Sequence, residues 1–116
     1  MESLVQLWAF VVMPNHVHLL VHDPYGDFGR KLSALKRTFG LEILPWIAEH
    51  LPKTYAELEA RDHGKTVHRF WQAGGGYDRN IFTDSAVLKT MAYIHNNPVK
   101  AGLVKQPQDY YWSSAK

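Results

Sequence analysis

Leu4-Val5-Gln6-Leu7-Trp8-Ala9-Phe10-Val11-Val12-Met13-Pro14-Asn15-His16-Val17-His18-Leu19-Leu20-Val21-His22 is the stretch that decides the fold. Residues 4–12 are rich in β-branched and aromatic side chains, Pro14-Asn15 is a turn signal, and residues 17–21 form a second extended run. Two such runs around a short connection read as a β-hairpin. Alternation along the second run sends Val17, Leu19 and Val21 to one face. His16, His18, Leu20 and His22 go to the other.

Working outward, Asp23-Pro24-Tyr25-Gly26-Asp27 reads as a loop. Residues 28–44 have helical spacing at Leu32, Leu35, Phe39 and Ile43, with Arg30, Lys31, Lys36 and Arg37 on the polar side and Pro45 ending the pattern. Residues 46–51 read as a further helical turn, 55–60 as a weaker helical stretch, 61–65 as a polar loop and 67–72 as a candidate strand. Ala73-Gly74-Gly75-Gly76 reads as a turn or hinge because glycine loses the most backbone entropy on ordering. Extended structure is expected to resume over 77–82. Thr83-Asp84-Ser85 is an N-cap signal for a helix running from 86 to about 97, which Pro98 stops. Residues 101–116 read as a mostly irregular tail carrying Tyr110, Tyr111 and Trp112.

The chain's 116 residues suit one domain over 1–116, and 46% hydrophobic with 21% charged residues is the composition of a folded chain rather than a disordered one. No apolar run approaches the roughly 20 residues of a membrane span. No basic-then-apolar leader opens the sequence. Cysteine is absent, which excludes disulfides and thiolate metal sites and fits a reducing compartment. The net charge of +2 permits a nucleic-acid partner without requiring one.

Two places carry the residue types of a reactive site. His16 and His18, two apart on a strand, project from one face with Cα atoms roughly 7 Å apart, so both imidazoles can reach one cation. A pair of ordinary surface histidines on a half-exposed sheet has the same pattern. Tyr93 and Asn97 share a face of the last helix, with Lys89 a turn earlier. A boundary tyrosine with a buried ring and a wet hydroxyl would look alike. The reactive alternative is a tyrosine nucleophile beside an amide oxygen that serves the same cation. Lys31, Lys36, Arg37, Arg79, Lys89, Lys100 and Lys105 are available for phosphates, and Trp and Tyr rings for stacking on bases.

Four ordered segments resemble one family. Met13-Pro14-Asn15-His16-Val17-His18-Leu19-Leu20-Val21 looks like the HUH motif of single-tyrosine transposases. Phe70-Trp71-Gln72 with Tyr77-Asp78-Arg79 resembles a linking motif. Tyr93-Ile94-His95-Asn96-Asn97-Pro98-Val99-Lys100-Ala101-Gly102-Leu103-Val104 is similar to the tyrosine-bearing helix of the REP-associated tyrosine transposases, and Asp109-Tyr110-Tyr111-Trp112-Ser113-Ser114 to the family's usual end. The resemblance implies an α+β, ferredoxin-like antiparallel sheet with helices on one face. It implies metal-dependent cleavage and joining of single-stranded or hairpin DNA, in the cytoplasm and at the nucleoid. Tyr93 would be the nucleophile forming a 5′-phosphotyrosine, and His16, His18 and Asn97 would hold Mg²⁺ or Mn²⁺. A general base is not assigned; His95, two residues on, faces away from Tyr93.

Relatives of that family place a further strand and helix before the first strand seen here. Their absence exposes a sheet edge and leaves three explanations open: another chain supplies the strand, the remaining strands are rearranged, or the chain is a truncated relative; a homodimer formed by strand pairing is the preferred expectation. Residues 42–65 match none of the motifs. The competing expectation is a truncated or domesticated DNA-binding relative that has lost cleavage.

Overall fold

The computed structural model describes residues 5–72 and 79–116. The hairpin forms around Pro14-Asn15. Strand β1 (Gln6–Val12) pairs antiparallel with β2 (Val17–His22), setting Ala9 opposite Leu20, Phe10 opposite Leu19, Val11 opposite His18 and Val12 opposite Val17. The Met13 N–H donates to the His16 carbonyl at 2.8 Å and closes the connection. The register shifts between Leu7 and Ala9, so Trp8 is the extra residue of a bulge. Its ring stacks on His22 at 5.0 Å.

The face that becomes buried is the histidine face. Ala9, Val11, Met13 and Leu20 form a core with Ile94 of helix α3 (Asp84–Lys100), and Ile81, Val87, Met91 and Tyr110 pack around it. Leu7, Val12, Val17 and Leu19, on the all-apolar side, remain exposed. Helix packing rather than the hydrophobicity of the strand decides this: α3 lies where Ala9 and Val11 leave room for Ile94. His18, opposite Val11, therefore sits at the rim of the core rather than on an open surface.

Helix α3 starts as the sequence predicts. The Thr83 side chain accepts from the Ala86 N–H at 3.1 Å, and Asp84 adds an acidic group to the first turn. It ends three residues later than expected, because Pro98 lies inside it, fully buried. Within the last turn a proline costs one backbone hydrogen bond, and burial of its ring offsets that loss. The Ala101 N–H then donates to the Asn97 carbonyl and closes the helix.

The tail is more ordered than an irregular reading allows. It contains a 3₁₀ turn, Pro107–Asp109, and then runs antiparallel to β1 with Val11 bridged to Ser113. The Val12 N–H donates to the Trp112 carbonyl at 2.8 Å, and the Ser114 N–H to the Phe10 carbonyl at 3.0 Å. The Tyr110 hydroxyl donates to the Val12 carbonyl at 2.7 Å. The edge expected to be bare is thus covered over residues 10–12, and a second copy pairing there would have only the remainder of β1.

Ser114 ties three elements together. Its Oγ accepts from the Phe10 N–H at 2.9 Å and lies 2.8 Å from Nε2 of His95 on α3. Ser114→Ala leaves that Phe10 N–H without its partner in a half-buried setting, at a cost of about 1–3 kcal/mol. A urea midpoint lowered accordingly is the expected result; a midpoint unchanged from wild type would show that the tail adds nothing to stability.

The chain falls into two compact units. The first joins residues up to Gly26 with those from Arg79 onward; the second takes the intervening stretch from Asp27. In the second unit α1 (Phe28–His50) is followed by α2 (Pro52–Glu57) and the hairpin β3 (Glu59–Asp62) and β4 (Lys65–His68). α1 passes through Pro45, where the sequence predicts a stop, and buries Ile47 just beyond it. Residues 61–65, expected to be a loop, are mostly strand. His63 and Gly64 both have positive φ, 51° and 79°, the geometry of a two-residue hairpin turn. Residues 79–82 form no strand. The expectations for residues 73–78 lie outside the described residues. Two small antiparallel sheets with helices make the chain α+β.

Candidate active site

The hairpin register and the packing of α3 bring three ring side chains together. His16 precedes β2, His18 lies within it, and their rings meet edge to face at 4.8 Å between centroids. Tyr93 precedes the buried Ile94 by one residue, which turns its ring off the core and toward the end of β2. There it meets the His18 ring at 5.8 Å, again edge to face. Tyr93 is 55% exposed.

The imidazoles are set up differently. Nδ1 of His16 lies 2.6 Å from Oδ1 of Asn15. A carbonyl oxygen can only accept, so Nδ1 donates to it and Nε2 is the nitrogen left for other partners. His18 is half-buried, and its pKa is lowered from 6.5, first by burial and then by the neighbouring His16. Both effects keep it neutral, the state a metal ligand needs.

That shift fixes a pH dependence. An imidazole held below its unfolded pKa binds fewer protons folded than unfolded. Its stabilising contribution is complete above pH 6.5 and is lost as pH falls through the lower folded value. The thermal midpoint should therefore drop with acidification over that window, and less steeply in His18→Gln. Equal slopes in the two proteins would remove His18 as the cause.

The His16 and His18 ring centroids are 4.8 Å apart with the planes near perpendicular. Bound cis to one ion at roughly 2.1 Å per metal–nitrogen bond, two imidazoles have ring centroids about 4.7 Å apart. Among the described residues no cluster of three or more His, Asp or Glu side chains is present, so further ligands would come from neutral groups, water or substrate. Asn97 is half-buried one turn after Tyr93, with no hydrogen bond to either histidine.

The basic residues divide between the units. On α1, Lys31 pairs with Asp27 at 3.3 Å, Lys36 lies over the Trp71 ring at 5.4 Å, and Arg37 is exposed. In the first unit Arg79 reaches Thr90 Oγ1 at 3.5 Å, and Lys89 and Lys100 are exposed on α3. Lys105 is exposed in the tail. Nε2 of His95 lies 2.8 Å from Ser114 Oγ, which occupies that nitrogen.

Sequence reasoning missed the roles of Asn15 and Ser114. For Asn15 the signal was present: an amide beside a histidine in a tight turn can reach that ring. Ser114 gave none, because its partner is 104 residues distant.

No family model matches the sequence, and no solved structure matches it. A curated Haemophilus influenzae (strain Rd) protein named "Putative REP-associated tyrosine transposase" is 30% identical over 108 residues, covering 91% of this chain and 56% of the relative. The chain spans about half the length of the relative it matches, and it is distantly similar to that transposase over nearly all of its own length.

Proposed function

We propose that this chain is a metal-dependent single-stranded DNA endonuclease and strand transferase, a transposase acting on hairpin-containing DNA through a 5′-phosphotyrosine. The observation that carries this reading is the contact of the His18 ring with both His16 and Tyr93. The relative's name supports it. The setting would be the cytoplasm and nucleoid; among the described residues no helix is long and apolar enough to cross a membrane.

His16 and His18, with Asn97 as third ligand, would hold Mg²⁺ or Mn²⁺. A bound divalent cation supplies Lewis-acid polarisation of a phosphoryl oxygen. The chain's own residues do the rest. Asn15 holds Nδ1 of His16, which presents Nε2 to a cation, and partial burial with the neighbouring His16 favours uncharged His18. The Tyr93 phenol loses its proton, its oxygen attacks phosphorus, and the bond from phosphorus to the 3′ oxygen breaks. The departing 3′ oxygen takes up a proton, so the reaction balances without a nucleotide cofactor. Attack of a 3′-hydroxyl on the phosphotyrosine reverses the sequence and joins strands.

The test is incubation with an end-labelled single-stranded oligonucleotide containing a hairpin, with Mn²⁺ or Mg²⁺. A covalent protein–DNA adduct that resists denaturation is expected. Hairpin binding without adduct under either cation would replace this reading with that of a DNA-binding relative that has lost cleavage.

A further inference from the structure

Helix α1 is 23 residues long, about 34 Å, and among the described residues it buries one side chain, Ile47. A row of its residues lies about a quarter-turn away from Ile47. Leu32, Leu35, Phe39, Glu42 and Trp46 follow one another at intervals of three, four, three and four, the spacing of a seam between two paired helices. Leu35, Phe39 and Trp46 are exposed, Leu35 by 66%, and Leu32 is half-buried. Single exposed apolar residues are ordinary, whereas a continuous row of them marks a contact surface. The rings in the row are already braced. Trp46 stacks on His50 at 4.5 Å, Nδ1 of His50 donates to the Trp46 carbonyl at 3.0 Å, and Phe39 meets Phe70 edge to face at 5.1 Å. Less side-chain entropy is then lost when the row is covered.

We propose that a second copy of this chain covers the row, with the two α1 helices antiparallel and crossing at Phe39. Charge selects both the occupant and its direction. The half of α1 before Phe39 carries Arg30, Lys31, Lys36 and Arg37 and no carboxylate; the half after it carries Glu42 and Glu49 and no lysine or arginine. Within one helix this order is unfavourable, because the cations lie toward the positive end of the dipole and the first turn holds no acidic residue. Asp27 at the N-cap offsets Lys31 alone. An antiparallel copy sets each basic half against an acidic half and opposes the two dipoles. A parallel copy would set like charges side by side. Phe39 is the midpoint of α1, so full overlap places Phe39 against Phe39 of the partner subunit, Leu32 against the partner's Trp46 and Lys36 beside the partner's Glu42. This interface is separate from the edge of β1 that the tail covers, and it does not depend on the chemistry of Tyr93.

Sedimentation equilibrium of the full chain without DNA, from micromolar to millimolar concentration, is the test. An overlap one helix wide is smaller than a standard interface, so a dimer dissociating in the micromolar range is expected. Leu35→Lys buries a charge in the seam, Glu42→Lys sets lysine against lysine, and Lys36→Glu sets glutamate against glutamate. Each should weaken the dimer at least about tenfold. An equimolar mixture of Lys36→Glu and Glu42→Lys should associate again, within about threefold of wild type, because opposite charges then meet at every such contact. Circular dichroism checks folding; Leu35 and Glu42 are exposed, so Leu35→Lys and Glu42→Lys should keep the wild-type spectrum. Wild type that stays monomeric throughout would overturn the proposal. A dimer unaffected by Leu35→Lys and Glu42→Lys would also overturn it and move the interface off α1. Two folded monomeric charge variants that fail to associate with each other would overturn the antiparallel register.

Discussion

Tyr93→Phe should abolish the covalent DNA adduct, lowering its rate of formation at least about a thousandfold, while hairpin affinity stays within about twofold of wild type. The substitution removes one oxygen and keeps the ring, so the edge-to-face contact with His18 at 5.8 Å and the helix face survive. The oxygen is the only atom the reaction asks of this side chain. Other tyrosines provide the control. Tyr110 has its hydroxyl committed to the Val12 carbonyl, whereas Tyr111 is 65% exposed. An adduct that survives in Tyr93→Phe and disappears in Tyr111→Phe would move the nucleophile to the tail and overturn the assignment.

Ile94→Ala should give the largest stability loss of any single truncation on α3, about 2–5 kcal/mol. Ile94 is 2% exposed and packs on Ala9, Val11, Met13 and Leu20. A domain of this size has a total stability of about 5–15 kcal/mol, so the loss is a large share of it. Leu88→Ala on the same helix is the comparison, because Leu88 is 66% exposed; its cost should stay within about 0.5 kcal/mol. Urea unfolding of both variants checks this. Equal costs would mean that α3 is not held on the hairpin by the Ile94 contact. Since Tyr93 is placed by its neighbour's burial, the same result would undermine the site geometry.

The parts of the fold that were legible in sequence are those specified locally. Pro14-Asn15 between two apolar runs sets the first hairpin, and Thr83 sets the start of α3 through its own side chain. Features set by distant packing were not legible. Alternation separated the two faces of β2 correctly, yet which face is buried depends on Ile94, more than 70 residues away. The prolines were misleading for the same reason: burial of Ile47 and of the Pro98 ring carries each helix past a residue that disfavours it locally. The second hairpin was hidden because Glu59-Ala60-Arg61-Asp62 has little strand propensity. Only the positive-φ turn at His63-Gly64 marks it, and a histidine there is a weaker turn signal than asparagine or aspartate.

The candidate site was partly legible. Spacing alone put His16 and His18 on one face and Tyr93 with Asn97 on another. That Tyr93 comes to the end of β2 bearing His18 follows from the register of the hairpin under α3, and short-range pattern does not contain it. The cover over β1 was also out of reach, since the tail pairs with a strand at the opposite end of the sequence.

Titration with Mn²⁺ followed by proton NMR is the most direct measurement of whether these three rings surround one ion. Paramagnetic broadening should appear first at the His16 and His18 ring signals and then at Tyr93, at substoichiometric Mn²⁺, and His18→Ala should remove it. Broadening centred on other residues, with those three rings left sharp, would contradict the shared site and the chemistry built on it.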